Sequence, residues 1–154
     1  MSRSYVGAEL RRLVARRAAG FCEYCLIHED NTFFGCEVDH VVSEKHGGAT
    51  VASNLALACV VCNRRKGSDV GSIDQDHGGM VRFYHPRRDR WLEQFELTER
   101  TTRIEGRTNV GAATARVLAF NATVRVLERE ALVAAGRYPP PPQVLETAGR
   151  DTTP

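Results

Sequence analysis

The sequence predicts an α+β chain whose centre runs strand, loop, strand, helix, with paired cysteines clamping both ends of that unit. Three observations carry this. Two Cys-x-x-Cys pairs, Cys22/Cys25 and Cys59/Cys62, stand 33 residues apart. Between them, TFFGCEVDHVV (32–42) is aromatic and β-branched, as a strand should be. Ahead of them, residues 5–19 place Val6, Leu10, Leu13 and Val14 on one helical face, with arginines opposite.

The elements follow in order. Ser4 is placed to cap the first helix and Gly20 to end it, delivering the chain to the first cysteine pair. After the first strand, SEKHGGATVASN (43–54) has loop composition, and residues 55–58 form a short second strand. A basic helix is expected over 63–70 and a loop over 71–80. Residues 81–95 mix aromatics with arginines; Trp91 reads as a core anchor. Short strands are expected over 95–106, ending at Gly106, then helices over 110–120 and 122–135 packing through Val117, Leu118, Phe120, Val124 and Leu127. The tail 138–154, opening on Tyr-Pro-Pro-Pro-Pro, reads as disordered. The domain expected is therefore 1–137, with a core at about 21–70 and an extension at 81–137.

With 154 residues, 42% hydrophobic and 26% charged, the chain suits one domain with a modest core. No window approaches a membrane span of roughly 18 apolar residues. The N-terminus alternates charge with apolar residues and lacks a signal peptide's apolar run, so a reducing, cytoplasmic setting is expected. In that setting two Cys-x-x-Cys turns, each offering two sulfurs, read as a tetrahedral structural zinc site rather than disulfides or a redox pair. Cys36, the fifth cysteine, reads as a small buried strand residue.

The net charge of +2 does not itself argue for nucleic acid, and four thiolates with one zinc would bring it to about zero. All but Lys45 and Lys66 of the 21 basic residues are arginine, whose planar fork suits phosphate. They cluster at Arg11, Arg12, Arg16 and Arg17, at Arg64 to Lys66, and at Arg82, Arg87, Arg88 and Arg90. Solvated helix faces are the alternative reading of these clusters.

The ordered set Cys-x-x-Cys, Asp39-His40, Gly47-Gly48, Asn54-Leu55, Cys-x-x-Cys-Asn63 and Lys66 resembles the HNH endonuclease family over about Phe21 to Gly67. FYHPRRDRW and GRTNVGAATARVLAFN look like the extension of small stand-alone HNH proteins. The resemblance implies a ββα-metal (His-Me finger) core. It implies that His40 is the general base, that Asp39 and Asn63 hold a catalytic divalent ion, and that Asn54 fixes the loop and orients His40. Asn63 stands where many relatives have histidine, and its neutral amide oxygen suits Mg²⁺ or Mn²⁺. The implied activity is hydrolysis of DNA phosphodiester bonds to a 5′-phosphate and a 3′-hydroxyl, with RNA as the other candidate substrate. Arg64, Arg65, Lys66, Arg87 and Arg88 are the candidate phosphate contacts. Glu37 shares a strand face with Asp39. A non-catalytic zinc-knuckle module that binds nucleic acid is the alternative. A homodimer, or a larger restriction- or phage-type complex, is compatible with either, and no membrane partner is expected.

Overall fold

The computed structural model describes residues 5–149. Helix α1 (Ala8–Arg17) begins three residues later than its apolar face suggests, at Gly7, whose extended backbone starts it without a side-chain cap. Ser4 lies outside the described residues. The helix ends through two left-handed residues, Ala19 and Gly20. Glycine suits the second, whose φ of +77° strains other residues, and a β-carbon there would also push against the His28 ring. Arg17, in the last turn, donates to the carbonyls of Ala52 and Leu55 and so ties α1 to the next strand pair.

Strand β1 (Cys36–His40) pairs antiparallel with β2 (Leu55–Cys59), with Cys36 opposite Cys59 and His40 opposite Leu55. β1 is shorter than its β-branched run: residues 33–34 are a pair of exposed phenylalanines outside the ladder. Every residue of β2 is buried, between β1, the cysteine pairs and α1.

Helix α2 (Val60–Lys66) starts directly after β2, three residues before the position expected from sequence. The second Cys-x-x-Cys turn is itself the first helical turn: Cys59 caps it, its Sγ accepting the Cys62 N–H at 3.4 Å. Asn63 is thus inside the helix, not its cap.

The segment 71–80 is not wholly loop. Strands β3 (Gly71–Ile73) and β4 (Met80–Arg82) form a small antiparallel pair. Asp74 closes the turn by accepting the N–H groups of Asp76 and His77. A one-turn helix, α3 (Trp91–Gln94), leads into β5 (Phe95–Thr98) and β6 (Arg103–Gly106), short strands where the sequence expects them, which pair antiparallel. Helices α4 (Asn109–Val117) and α5 (Thr123–Ala134) follow.

One core joins both halves. Tyr24, Trp91, Phe95, Ile104, Leu118, Phe120 and Tyr138 pack around the four cysteines. Trp91 is fully buried, the anchor the sequence suggests.

Two expectations fail in this extension. Val124 and Leu127 on α5 are exposed, 69% and 56%, while the helix buries Arg125 and Arg129 instead. The tail expected to be disordered is ordered to residue 149: Tyr138 is buried and donates its hydroxyl to the Cys25 carbonyl, and α6 (Pro142–Thr147) follows. The Ala148 carbonyl beyond it accepts the Trp91 N–H. The prolines stiffen a strap that Tyr138 and Leu145 pin to the core. No helix among the described residues is long and apolar enough to cross a membrane.

Candidate metal centre and active site

Each Cys-x-x-Cys turn aims two thiols at one point. In the first, the Cys25 N–H donates to Cys22 Sγ at 3.5 Å, as Cys62 does to Cys59 in the second. All four Sγ atoms lie within 4.8 Å of one another, and all four residues are buried. Tetrahedral coordination at ~2.3 Å places sulfurs about 3.8 Å apart. Cys25 and Cys59 Sγ are 3.8 Å apart, at that spacing, and the buried four-sulfur donor set fits a tetrathiolate metal. Burial pushes the Cys22 thiol well up. Hydrogen bonds from Cys22, Cys25 and Cys62, with Arg125 beside them, hold Cys59 far below the usual thiol range. Cys36, opposite Cys59, is only half-buried and stands outside this cluster; burial raises its thiol.

The extension grips this centre. Trp91 Nε1 donates to the Tyr24 carbonyl at 2.8 Å and Tyr138 to the Cys25 carbonyl at 2.9 Å. Arg125 Nη2 lies 3.1 Å from Cys25 Sγ and 3.5 Å from Cys59 Sγ. Arg87 pairs with buried Glu23, whose other oxygen accepts the Leu57 N–H. This corrects the reading of Arg87 as a nucleic-acid contact: it is 6% exposed and locked beneath the first cysteine turn.

The far end of the β1–β2 pair is open. His40 is half-exposed, and its Nε2 is 2.8 Å from Thr50 Oγ1. Asn54 staples the loop beneath it. Its Oδ1 accepts the Val42 N–H, and its Nδ2 donates to the carbonyls of Val42 and Ala49. Gly48 fits only without a side chain, since a β-carbon there would lie 1.7 Å from the Val42 oxygen and 2.7 Å from Asn54 Nδ2. The Gly and Asn of the motif are thus one device, a closed loop delivering Thr50 to His40.

Asp39 points to the other face of β1 and is 5% exposed. Its Oδ2 accepts from the Tyr24 hydroxyl at 2.8 Å, and Lys66 Nζ lies 3.2 Å from Oδ2 and 3.3 Å from Oδ1. Lys66 also donates to the His40 carbonyl at 3.0 Å. Burial raises the Asp39 carboxyl above its ordinary range, and the pull of Lys66 and Tyr24 only partly offsets this. Lys66 is 2% exposed, so it too is corrected from a surface phosphate contact to a buried counter-ion. Arg64, Arg65 and Arg88 do lie exposed.

Asn63 reaches Glu37, not Asp39: its Nδ2 donates to Glu37 Oε2 at 2.6 Å. Glu37, two residues before Asp39 on the same face, is an exposed carboxylate. Glu37 and, after a half-turn of its amide, the Asn63 oxygen could serve as oxygen donors to a hard divalent ion. Asp39 becomes a donor only if Lys66 withdraws. Strand alternation puts Glu37 on this face without assigning it a role; Thr50, with no motif around it, carries no signal in the sequence.

A family model described as HNH endonuclease matches residues 22–69. That segment, from the first cysteine turn through α2, is similar to the HNH family, and its strand, loop, strand, helix order is consistent with a ββα-metal arrangement. No curated protein and no solved structure matches the chain.

Proposed function

We propose that the protein is a metal-dependent endonuclease that hydrolyses DNA phosphodiester bonds, with a structural zinc at Cys22, Cys25, Cys59 and Cys62. The observation that carries the reading is His40, held against Thr50 at the open end of a strand pair whose other end is locked. A neutral imidazole can accept a proton from water around neutral pH.

His40 takes that proton as the water oxygen attacks phosphorus in line. The new P–O bond forms as the bond to the 3′ oxygen breaks, and the 3′ oxygen takes a proton from solvent. The products carry a 5′-phosphate and a 3′-hydroxyl. Asn63 and Glu37, joined by Asp39 when Lys66 withdraws, are the residues that would hold Mg²⁺ or Mn²⁺. Such an ion, when bound, offsets negative charge developing on the phosphoryl and leaving oxygens. Arg64 and Arg65, exposed on α2 beside Asn63, and Arg88 supply phosphate contacts.

The Asp39–Lys66 ion pair favours a second reading, a zinc-knuckle module that binds nucleic acid without cutting it. Supercoiled plasmid incubated with Mg²⁺, Mn²⁺ or EDTA separates the two. Ion-dependent nicking or linearisation is expected, falling about 10²–10⁴-fold in His40→Ala with zinc content unchanged. Gel retardation without cleavage in any ion would leave the binding module. Equal cutting by His40→Ala would remove His40 as the base.

A further inference from the structure

Helix α5 packs backwards for an amphipathic helix: it exposes Val124 and Leu127 and buries two arginines one turn apart. A buried guanidinium is costly unless an anion meets it. Arg125 is 5% exposed and divides its fork. Nη1 meets Glu128 Oε2 at 2.7 Å, and Nη2 meets the sulfurs of Cys25 and Cys59. Arg129 is fully buried and donates only to neutral oxygens, the carbonyls of Thr102 and Phe120 and the Asn121 side chain. Its Nη1 has no partner, and no carboxylate meets it among the described residues.

Four neutral thiols would leave this pair of cations short of negative charge. Four thiolates around one divalent ion carry a net charge of −2, close beside them. Glu128 offsets part of the positive charge, but its side chain is 28% exposed and water screens it. The neighbouring Tyr138 hydroxyl is spent on the Cys25 carbonyl.

We propose that Arg125 and Arg129 are the counter-charge of the tetrathiolate zinc, so that retention of the metal depends on a helix whose Arg125 lies 66 and 100 residues from the cysteines it meets. Arg125 acts by direct N–H···S hydrogen bonds, and Arg129 by charge behind it. Both are positioning residues: neither ligates. This inference rests on the zinc reading above. It adds that the extension holds the metal as well as packing against it.

Zinc per chain and the rate of zinc loss to excess EDTA, followed with a colorimetric zinc indicator, test it on the full-length protein. The series is wild type, Arg125→Lys, Arg125→Gln, Arg125→Met and Arg129→Met. Arg125→Met is expected to release zinc about 10–100-fold faster, the usual effect of losing a partner that supports metal ligands. Arg125→Lys should release it more slowly than Arg125→Gln, because the charge is what matters. Arg129→Met should fall between Arg125→Met and wild type in rate. With cobalt in place of zinc, Arg125→Met should move the thiolate-to-metal charge-transfer band to lower energy, since sulfur lone pairs rise when hydrogen bonds to them are lost. A merely structural arginine leaves that band in place. If Arg125→Met does not fold, the order of Arg125→Lys and Arg125→Gln decides: Arg125→Gln retaining zinc as well as Arg125→Lys overturns the proposal. Zinc-free wild type would sink the underlying zinc reading instead.

Discussion

The two ends of the β1–β2 pair are one five-residue strand apart, yet they are built differently. The cysteine end is buried and is held by Trp91, Arg125 and Tyr138, which lie 66 to 113 positions from the residues they touch. The His40 end is half-open; its side chain and loop are held mainly from within, by Thr50 and Asn54 through bonds spanning 10 and 12 positions, with Lys66 and Arg17 adding longer ties to the backbone. The comparison teaches a division of labour. Long-range contacts fix the scaffold, and a short stapled loop presents the reactive group from it. Damage should therefore travel from the cysteine end to the His40 end, and not back.

The largest effect tests that direction. Cys59→Ser removes a metal ligand, while its hydroxyl can still cap α2 and its backbone still pairs with Cys36, so the change isolates the metal. Metal binding at such a site is coupled to folding. Loss of bound metal, of the cooperative thermal transition and of cleavage are expected together. A variant that keeps its transition would break the comparison, because the cysteine end would not be the scaffold.

Next in size is the ion pair between the ends. Lys66→Met leaves the Asp39 carboxylate buried beside the Tyr24 hydroxyl alone, at a cost of about 3–5 kcal/mol. Burial already raises the Asp39 carboxyl, and losing Lys66 raises it further. A carboxyl raised in the folded state stabilises below its unfolded pKa and destabilises as pH climbs through the folded value. The deficit of Lys66→Met should thus be small in acid and grow toward neutrality. Asp39→Asn/Lys66→Met should recover part of it in urea denaturation. Additive losses would mean the two groups do not act as a pair.

How much of this is legible in the sequence follows from where the causes lie. The cysteine turns, the Asp39-His40 strand, Asn54 and the 95–106 strand pair are local patterns, and the structure places them within a few residues of expectation. The rest depends on charge meeting charge across the fold. Periodicity assigns the core face of α5 to Val124 and Leu127, because nothing local reveals that the surface beneath is a cluster of thiols. The same blindness puts Lys66 and Arg87 on the surface: their partners, Asp39 and Glu23, lie 27 and 64 positions away. The proline run reads as disorder because Tyr138, its anchor, finds its acceptor at Cys25. On β1, alternation puts Glu37 on the Asp39 face, but its partner Asn63 requires the α2 geometry.

A smaller effect is confined to the open end. Asn54→Ala strips partners from the backbone groups of Val42 and Ala49, at about 1–3 kcal/mol. The melting temperature should fall and cleavage with it, while zinc content stays at the wild-type value. Loss of zinc from this variant would mean that damage does travel back from the His40 end.

The smallest expected change isolates His40 from its scaffold. Thr50→Val keeps the shape of the side chain but removes the oxygen 2.8 Å from His40 Nε2. One hydrogen bond of this kind contributes about 0.5–1.5 kcal/mol, so stability should fall by no more than that and cleavage should slow by roughly twofold to tenfold. Thr50→Ser keeps the hydroxyl and should restore most of the rate. If Thr50 positions the imidazole, the loss in Thr50→Val lies in kcat rather than KM, since the proposed phosphate contacts are Arg64, Arg65 and Arg88 and not Thr50. An equal rate for Thr50→Val and Thr50→Ser would show that His40 is oriented by something other than this loop, and the division of labour between the two ends would have to be redrawn.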